Sequence, residues 1–387
     1  MSRIATRAPI TRMLADRPWR SQQHGLPPTG FSLVELMVAL ALSVLLIGAI
    51  LQVYMVNKRT FLKQDQDSIA RESGRFAIET MARDLRMAGL LGCGSFSLTG
   101  RSIPVRSYLN VTDFPYAIET GLRGFDATGT GLGSAVVLAS VNPAPGGTWA
   151  PALPPALAGQ VLPGSDVVVI TGIESAGWRL VSPFTTGAQI FVETPNDIAR
   201  GDILLVSDCN QAQVFQASAI GGGGANVTGA PAALTPGNAT PIATRGPAGP
   251  FGDGSEVSRV RSLAYYIGQG ADGRPTLIRQ SVQTTSASTA DLVRDELISD
   301  VETLQLTYGI DDDGDFQIDR FDSADAVADW GRVRSVHIGV LIRTPNEVLP
   351  DGGAVVYPVN EVDVTAPNDR RQRWPLTINV ALRNRLP

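Results

Sequence analysis

The stretch GIDDDGDFQIDRFDSAD sets carboxylates at Asp311, Asp313, Asp315, Asp319 and Asp322, a D-x-D-x-D-x-x-x-D-x-x-D pattern. Calcium takes about six to eight hard oxygens, and loops of this spacing supply them from the first, third, fifth, seventh, ninth and twelfth positions. The seventh ligand is a backbone carbonyl, here that of Gln317. Phe316 departs from the pattern, because such loops place glycine there for a sharp turn. The five aspartates of this pattern, with Asp312 between them, repel one another without a cation, which is the argument for calcium. The alternative is an acidic hairpin turn centred on DDGD, between the strands LQLTYGI and FQIDRF.

Little else has the spacing of a catalytic centre. His24 lies in the basic N-terminal stretch, and His337 stands in VRSVHIGVLI. Strand alternation puts His337 on one face with Val333, Ser335, Gly339 and Leu341, where a lone histidine reads as structural. No G-x-S-x-G elbow, H-E-x-x-H or P-loop occurs, and the GGGG run at 221–224 lacks the G-K-[ST] of a phosphate cradle. No enzymatic activity is expected. The two cysteines, Cys93 and Cys209, have neither metal-ligand spacing nor a histidine nearby. In an extracytoplasmic protein such a pair most simply forms one disulfide, the alternative being two buried thiols. A bridge over that span stabilises by about 4 to 5 kcal/mol on the chain-entropy account.

The remaining candidate is a carboxylate set in an apolar run. Across the 27 residues from Phe31 to Asn57 the only charged side chain is Glu35. About 20 apolar residues span a bilayer as a helix, and a charge inside such a span is costly unless partnered. A cleaved secretory signal has a shorter apolar core followed by a small-x-small site. Here the run continues into YMVNKRTFLKQDQ, so the segment is expected to be retained. Residues 1–30 carry five arginines against Asp16 alone and end in LPPTG. By the positive-inside rule this basic stretch stays cytoplasmic and the rest of the chain lies beyond the membrane.

Gly30-Phe31 followed by SLVEL resembles the processing site of type IV prepilins and of type II secretion pseudopilins. The resemblance implies that a membrane prepilin peptidase cuts between Gly30 and Phe31 and that Phe31 is N-methylated. Glu35 then becomes the fifth mature residue and pairs with the terminal amine of a neighbouring subunit during assembly. That amine is a cation near neutral pH, one helical turn away, so neutralisation of the chain's own terminus stays open. The segment RFAIETMARDLRMAGLLGC narrows the resemblance to PilW-like minor pilins, where a similar segment precedes a cysteine and a large β domain. The J-type minor pseudopilins look alike here but are usually much shorter. The resemblance implies a minor pilin held in the bacterial inner membrane, with its C-terminal domain periplasmic, until it joins a surface pilus. Its expected partners are other minor pilins, the major pilin, the inner-membrane assembly platform and a tip adhesin. A minor pseudopilin of type II secretion, or a membrane-anchored periplasmic binding module or enzyme, are the alternatives.

These residues need a long helix and a β domain to position them. Apolar residues recur at helical spacing through Ile78, Met81, Leu85 and Ala88, and no proline interrupts residues 31–103. The expected fold is α+β: a leader (1–30), a pilin-type helix (31–89, with 31–57 transmembrane) and a mainly antiparallel, loop-rich β domain (90–387). Expected strands are SAVVLAS, SDVVVITG, GDILLVSD, AQVFQAS, VRSLAYYIG, TLIRQSV, VETLQLTYGI, VRSVHIGVLIRT and PLTINVAL. The Pro-rich 142–164 and the Gly/Ala/Pro-rich 221–254 read as long surface loops, the second dividing the domain into two subdomains.

Composition sets bounds on function. The chain has 387 residues and a formal charge of −5, and without the leader it counts 27 basic against 36 acidic side chains. That balance argues against a general nucleic-acid binder and leaves room for a local basic patch, for example around Arg370, Arg371 and Arg373.

Overall fold

The computed structural model describes residues 30–385 apart from 93, 96–102, 112, 119, 139, 175–176, 209, 244 and 247–248. The leader and both cysteines, Cys93 and Cys209, therefore lie outside the described residues. The chain divides into two compact units between Lys58 and Arg59. The fold class is α+β: the helix α1, Leu33–Arg86, precedes a large, mainly antiparallel β domain.

In the first unit, Ser32 caps the start of α1. Its carbonyl accepts the Leu36 N–H at 3.1 Å, the first regular bond of the helix, and its hydroxyl lies 3.3 Å from the Val34 N–H, so one otherwise orphaned donor is satisfied. Leu, Ala and Met dominate the following turns and favour the helix. Every large apolar side chain from Phe31 to Val56 is exposed, and the helix is long and apolar enough to cross a membrane.

In the second unit the helix changes character. Ala70, Gly74, Ala77, Ile78, Met81, Ala82, Asp84 and Leu85 are buried, a stripe at three- and four-residue spacing. Gly74 marks the closest approach to the sheet: a Cβ there would come within 2.3 Å of Leu376 Cδ1 and 3.3 Å of Ile342 Cγ2. After the last turn Gly89 takes a left-handed φ of 75°, and its N–H donates to the Thr171 carbonyl at 2.9 Å.

The stripe packs into a core with the four-stranded antiparallel sheet ordered Arg320–Asp322, Val301–Ile310, Val333–Arg343 and Arg373–Ala381. Leu263, Tyr265 and Ile267 of the long strand Glu256–Gln269 complete this core. That strand joins the rest of the domain. Its first residues pair with Ile203–Asp208 and Trp178–Thr186, and its later ones with Val167–Ile173 and Pro275–Ser286. A small sheet of Val356–Val359, Val362–Thr365 and Ala135–Val137 packs separately around Leu341.

All nine expected strands form, at lengths from Ala135–Val137 to Glu256–Gln269. The charged strand Thr289–Ser299 was not expected. Among the described strands it pairs with Pro275–Ser286, with a single bridge from Thr289 to Thr235, and an edge position tolerates the Asp, Arg and Glu that hid its alternation. Both expected surface loops need correction. Residues 142–164 bury Leu157 and Val161 in a core with Phe125 and Tyr266. Residues 221–254 form the strand Asn226–Thr228 against Gln189–Val192 and bury Val227 and Ile242. The second stretch lies inside one compact unit, 59–387, rather than between two.

Candidate functional site

At the helix start Gly30 and Phe31 are exposed, and Glu35 sits exposed in the first turn, three residues after the Ser32 cap. A carboxylate there is favoured by the helix dipole by roughly 0.3 to 1 kcal/mol. This is smaller than the cost of an unpartnered charge in an apolar span, and the exposed side chain stays available to a partner. Farther along, Leu62, Ile69 and Phe76 recur every seven residues and are 47%, 44% and 54% exposed. They form one apolar column on the helix, on the side away from the buried stripe.

The joint between the end of α1 and the sheet depends on a carboxylate to which sequence reasoning gave no role. Asp84 is buried. Its Oδ1 accepts from Arg261 Nη2 at 2.5 Å and its Oδ2 from the Tyr265 hydroxyl at 2.5 Å. Burial, and then the Asp84 charge, push the Tyr265 hydroxyl well above the usual tyrosine range. The signal was present: Asp84 interrupts the apolar spacing of Ile78, Met81 and Leu85, and a charge on a buried face requires a partner. Beyond the helix end, the Leu91 carbonyl accepts the Ser207 hydroxyl at 2.9 Å, which ties together the two segments that lead to Cys93 and Cys209.

The acidic loop is ordered around its first aspartate. Asp311 is fully buried and accepts from Gly314 N–H at 2.6 Å, Phe316 N–H at 3.1 Å and Arg334 Nε at 2.8 Å. Burial opposes ionisation of Asp311, but the Arg334 guanidinium and these amides outweigh it and hold the carboxyl below its ordinary range. Asp311, Asp313 and Asp315 each bring a ligand oxygen within 4.8 Å of the others. Phe316 takes a left-handed φ of 70°, the turn for which such loops use glycine, with its ring 4.8 Å from the Arg334 guanidinium. Asp319 and Asp322 stand apart from this group. Asp319 accepts the Asp312 N–H at 2.7 Å, and Asp322 accepts from Arg320 and from Ser323 N–H. Arg320 also binds Asp312 at 2.8 Å, so arginines relieve part of the repulsion assigned from sequence to a metal. The carboxylates of Asp313 and Asp315 accept only from within the loop, from Asp315 N–H and from Gln317. Asp311, Asp313 and Asp315 are thus the carboxylates close enough to share one cation, and Asp311 is already engaged by Arg334.

Two further clusters bear on the sequence reading. The basic cluster is neutralised: Arg373 is buried between Glu302 (2.6 Å) and Asp369 (2.7 Å), and Arg370 binds Glu347 at 2.8 Å. Arg371 donates to the Thr344 carbonyl at 2.8 Å. His337 is half-buried, with its ring centroid 6.3 Å from that of Phe321 and its carbonyl accepting from Asn360. Asp126 and Asp166, buried under Tyr308, were not singled out from sequence. Burial first, and then the Asp166 charge, raise the Asp126 carboxyl to about 8, and burial raises Asp166 to about 7. Asp166 is held by Ala127 N–H, Thr130 Oγ1 and Leu306 N–H, whereas Asp126 Oδ1 and the Tyr308 hydroxyl have no hydrogen-bond partner among the described residues.

Residues 264–384 match the family PilW, described as Type IV Pilus-assembly protein W. No curated protein and no solved structure matches the chain. The matched stretch begins within the strand Glu256–Gln269 and takes in Tyr265, the acidic loop and the whole four-stranded sheet. Over these residues, less than a third of the chain, the sequence is similar to PilW.

Proposed function

We propose that this PilW-like chain is a minor pilin. It waits in the inner membrane as a single-pass protein with its β domain periplasmic, then is built with other minor pilins and the major pilin into a surface filament. On this reading the prepilin peptidase cuts after Gly30, Phe31 becomes the methylated terminus, and Glu35 pairs with the terminal amine of a neighbouring subunit. The inner-membrane assembly platform draws the subunit in, near the tip, where it supports an adhesin. It acts by packing and not by catalysis. What carries the reading is one chain that joins a PilW-like sheet to a helix opening on Gly30-Phe31-Ser32-Leu33-Val34-Glu35. The exposed column of Leu62, Ile69 and Phe76 supports it, because apolar residues at that spacing suit a neighbouring helix. Two further assignments belong to the reading: a Cys93–Cys209 disulfide behind the Leu91–Ser207 contact, and calcium on the acidic loop through Asp311, Asp313 and Asp315.

Terminal sequencing and intact mass of membrane-derived protein test the proposal. The chain is expected to start at Phe31 with one added methyl group, and any other start removes its basis. Glu35→Ala is expected to be cleaved and inserted normally yet to be depleted from sheared filaments. Equal amounts of variant and parent there would refute the role given to Glu35.

A further inference from the structure

The positive-inside rule leaves lysine and arginine scarce on the far side of a membrane span, yet Lys58, Arg59 and Lys63 stand directly beyond the apolar run. Arg59 and Lys63 are one helical turn apart on α1, so they share a face, where like charges repel. Neither side chain has an ion-pair or hydrogen-bond partner among the described residues, and Asp67, one turn beyond Lys63, does not bridge to it.

The two cations line an open groove of about 480 Å3 between their turn of α1 and residues 347–350, all within the second unit. The wall opposite the helix is fixed. Asn346 Nδ2 donates to Gln66 Oε1 at 3.2 Å, and the Val348 and Leu349 N–H groups both donate to the Arg370 carbonyl at 2.9 Å. Arg370 also binds Glu347 at 2.8 Å, which occupies the carboxylate of the lining and leaves Arg59 and Lys63 unanswered. Leu62, Val348, Leu349 and Pro350 make most of the remaining surface apolar. Arg59 and Leu62 are exposed and Lys63 and Leu349 half-buried, so the groups that would meet a ligand are open to it. Six residues of helix rise about 9 Å, and the headgroup layer is roughly 5 to 8 Å deep. A groove opening two to six residues past the span therefore lies at the level of the lipid phosphates. A zwitterionic headgroup would bring its own cation to this surface, and free phosphate would leave the apolar wall uncovered.

We propose that the groove binds the headgroup of an anionic phospholipid, its phosphate bridging Arg59 and Lys63 and its glycerol end over Leu62 and Leu349. The inference rests on residues 31–57 crossing the membrane. Alkaline extraction of cell membranes reads that span, whereas lipid titration in detergent reads the groove, so the two fail separately. Full-length protein in a neutral detergent is titrated with short-chain phosphatidylglycerol, short-chain phosphatidylcholine and inorganic phosphate, with binding read by thermophoresis. Phosphatidylglycerol is expected to bind roughly tenfold or more tightly than either of the others. Arg59→Gln with Lys63→Gln should weaken it by roughly tenfold or more and leave melting unchanged, since neither side chain has a partner to lose. Lys58→Gln, beside the groove but outside its lining, should change binding by less than about twofold. Equal binding of phosphatidylcholine or of phosphate, or undiminished binding by the double variant, would overturn the proposal. So would an equal loss with Lys58→Gln, which would mark general attraction to positive charge.

Discussion

Replacement of Asp84 by alanine tests how the helix is fixed to the sheet. The change removes the acceptor of the Tyr265 hydroxyl, which is wholly buried, and of Arg261, whose side chain is 27% exposed. An orphaned buried donor costs about 1 to 3 kcal/mol. Arg261 regains water, so its share is discounted to about 0 to 1 kcal/mol. The total loss is therefore about 1 to 4 kcal/mol. In domains of 150 to 250 residues each kcal/mol moves the midpoint by about 2 to 4 °C, and this larger unit lies at the lower end. Melting of the detergent-solubilised protein is expected to fall by about 2 to 8 °C. Tyr265→Phe removes the same hydrogen bond from the other side, so the two substitutions should not add. A double-mutant cycle should return a coupling of about 1 kcal/mol or more. Strict additivity, or an Asp84→Ala midpoint within 1 °C of the parent, would show that apolar packing alone holds the joint.

Asp126 and Asp166 predict a pH dependence of defined sign. Both folded carboxyls are raised above their ordinary range, Asp126 to about 8 and Asp166 to about 7, so the folded state holds protons that the unfolded state releases. Their stabilisation is complete below the usual carboxylate pKa and is lost as pH rises toward 8. Asp126→Asn should flatten the melting temperature between pH 4 and 8 in the range set by these groups, and a parallel profile would refute the assignment. For the acidic loop, calcium at a hundredfold excess over Kd should stabilise by about 2.7 kcal/mol. Chelation should reverse this, and magnesium should not substitute. Asp313→Ala with Asp315→Ala should remove the response while sparing the Asp311–Arg334 pair, and identical melting with calcium and chelator would leave a plain hairpin. Thiol labelling of the unreduced, denatured protein should find neither Cys93 nor Cys209 free, and two labelled thiols would refute the bridge.

The sequence by itself determined the elements whose signal is local. A 27-residue run with one charge is apolar over enough length to be a helix whatever surrounds it. Val- and Ile-rich runs such as VRSVHIGVLI announce strands because both faces are buried. The aspartate spacing likewise gathered Asp311, Asp313 and Asp315, since a tight turn brings alternate residues together. Partnership across the chain was decided by tertiary structure. Asp84 meets Tyr265 across 181 residues, Asp311 meets Arg334, and Arg373 is buried between Glu302 and Asp369. The same lack of local signal hid the segments 142–164 and 221–254. Glycine and proline there describe backbone turns, while burial of Leu157, Val161, Val227 and Ile242 depends on cavities left by distant strands. A charge or an apolar side chain shows in the sequence that it needs a partner, and only the packed sheets supply which one.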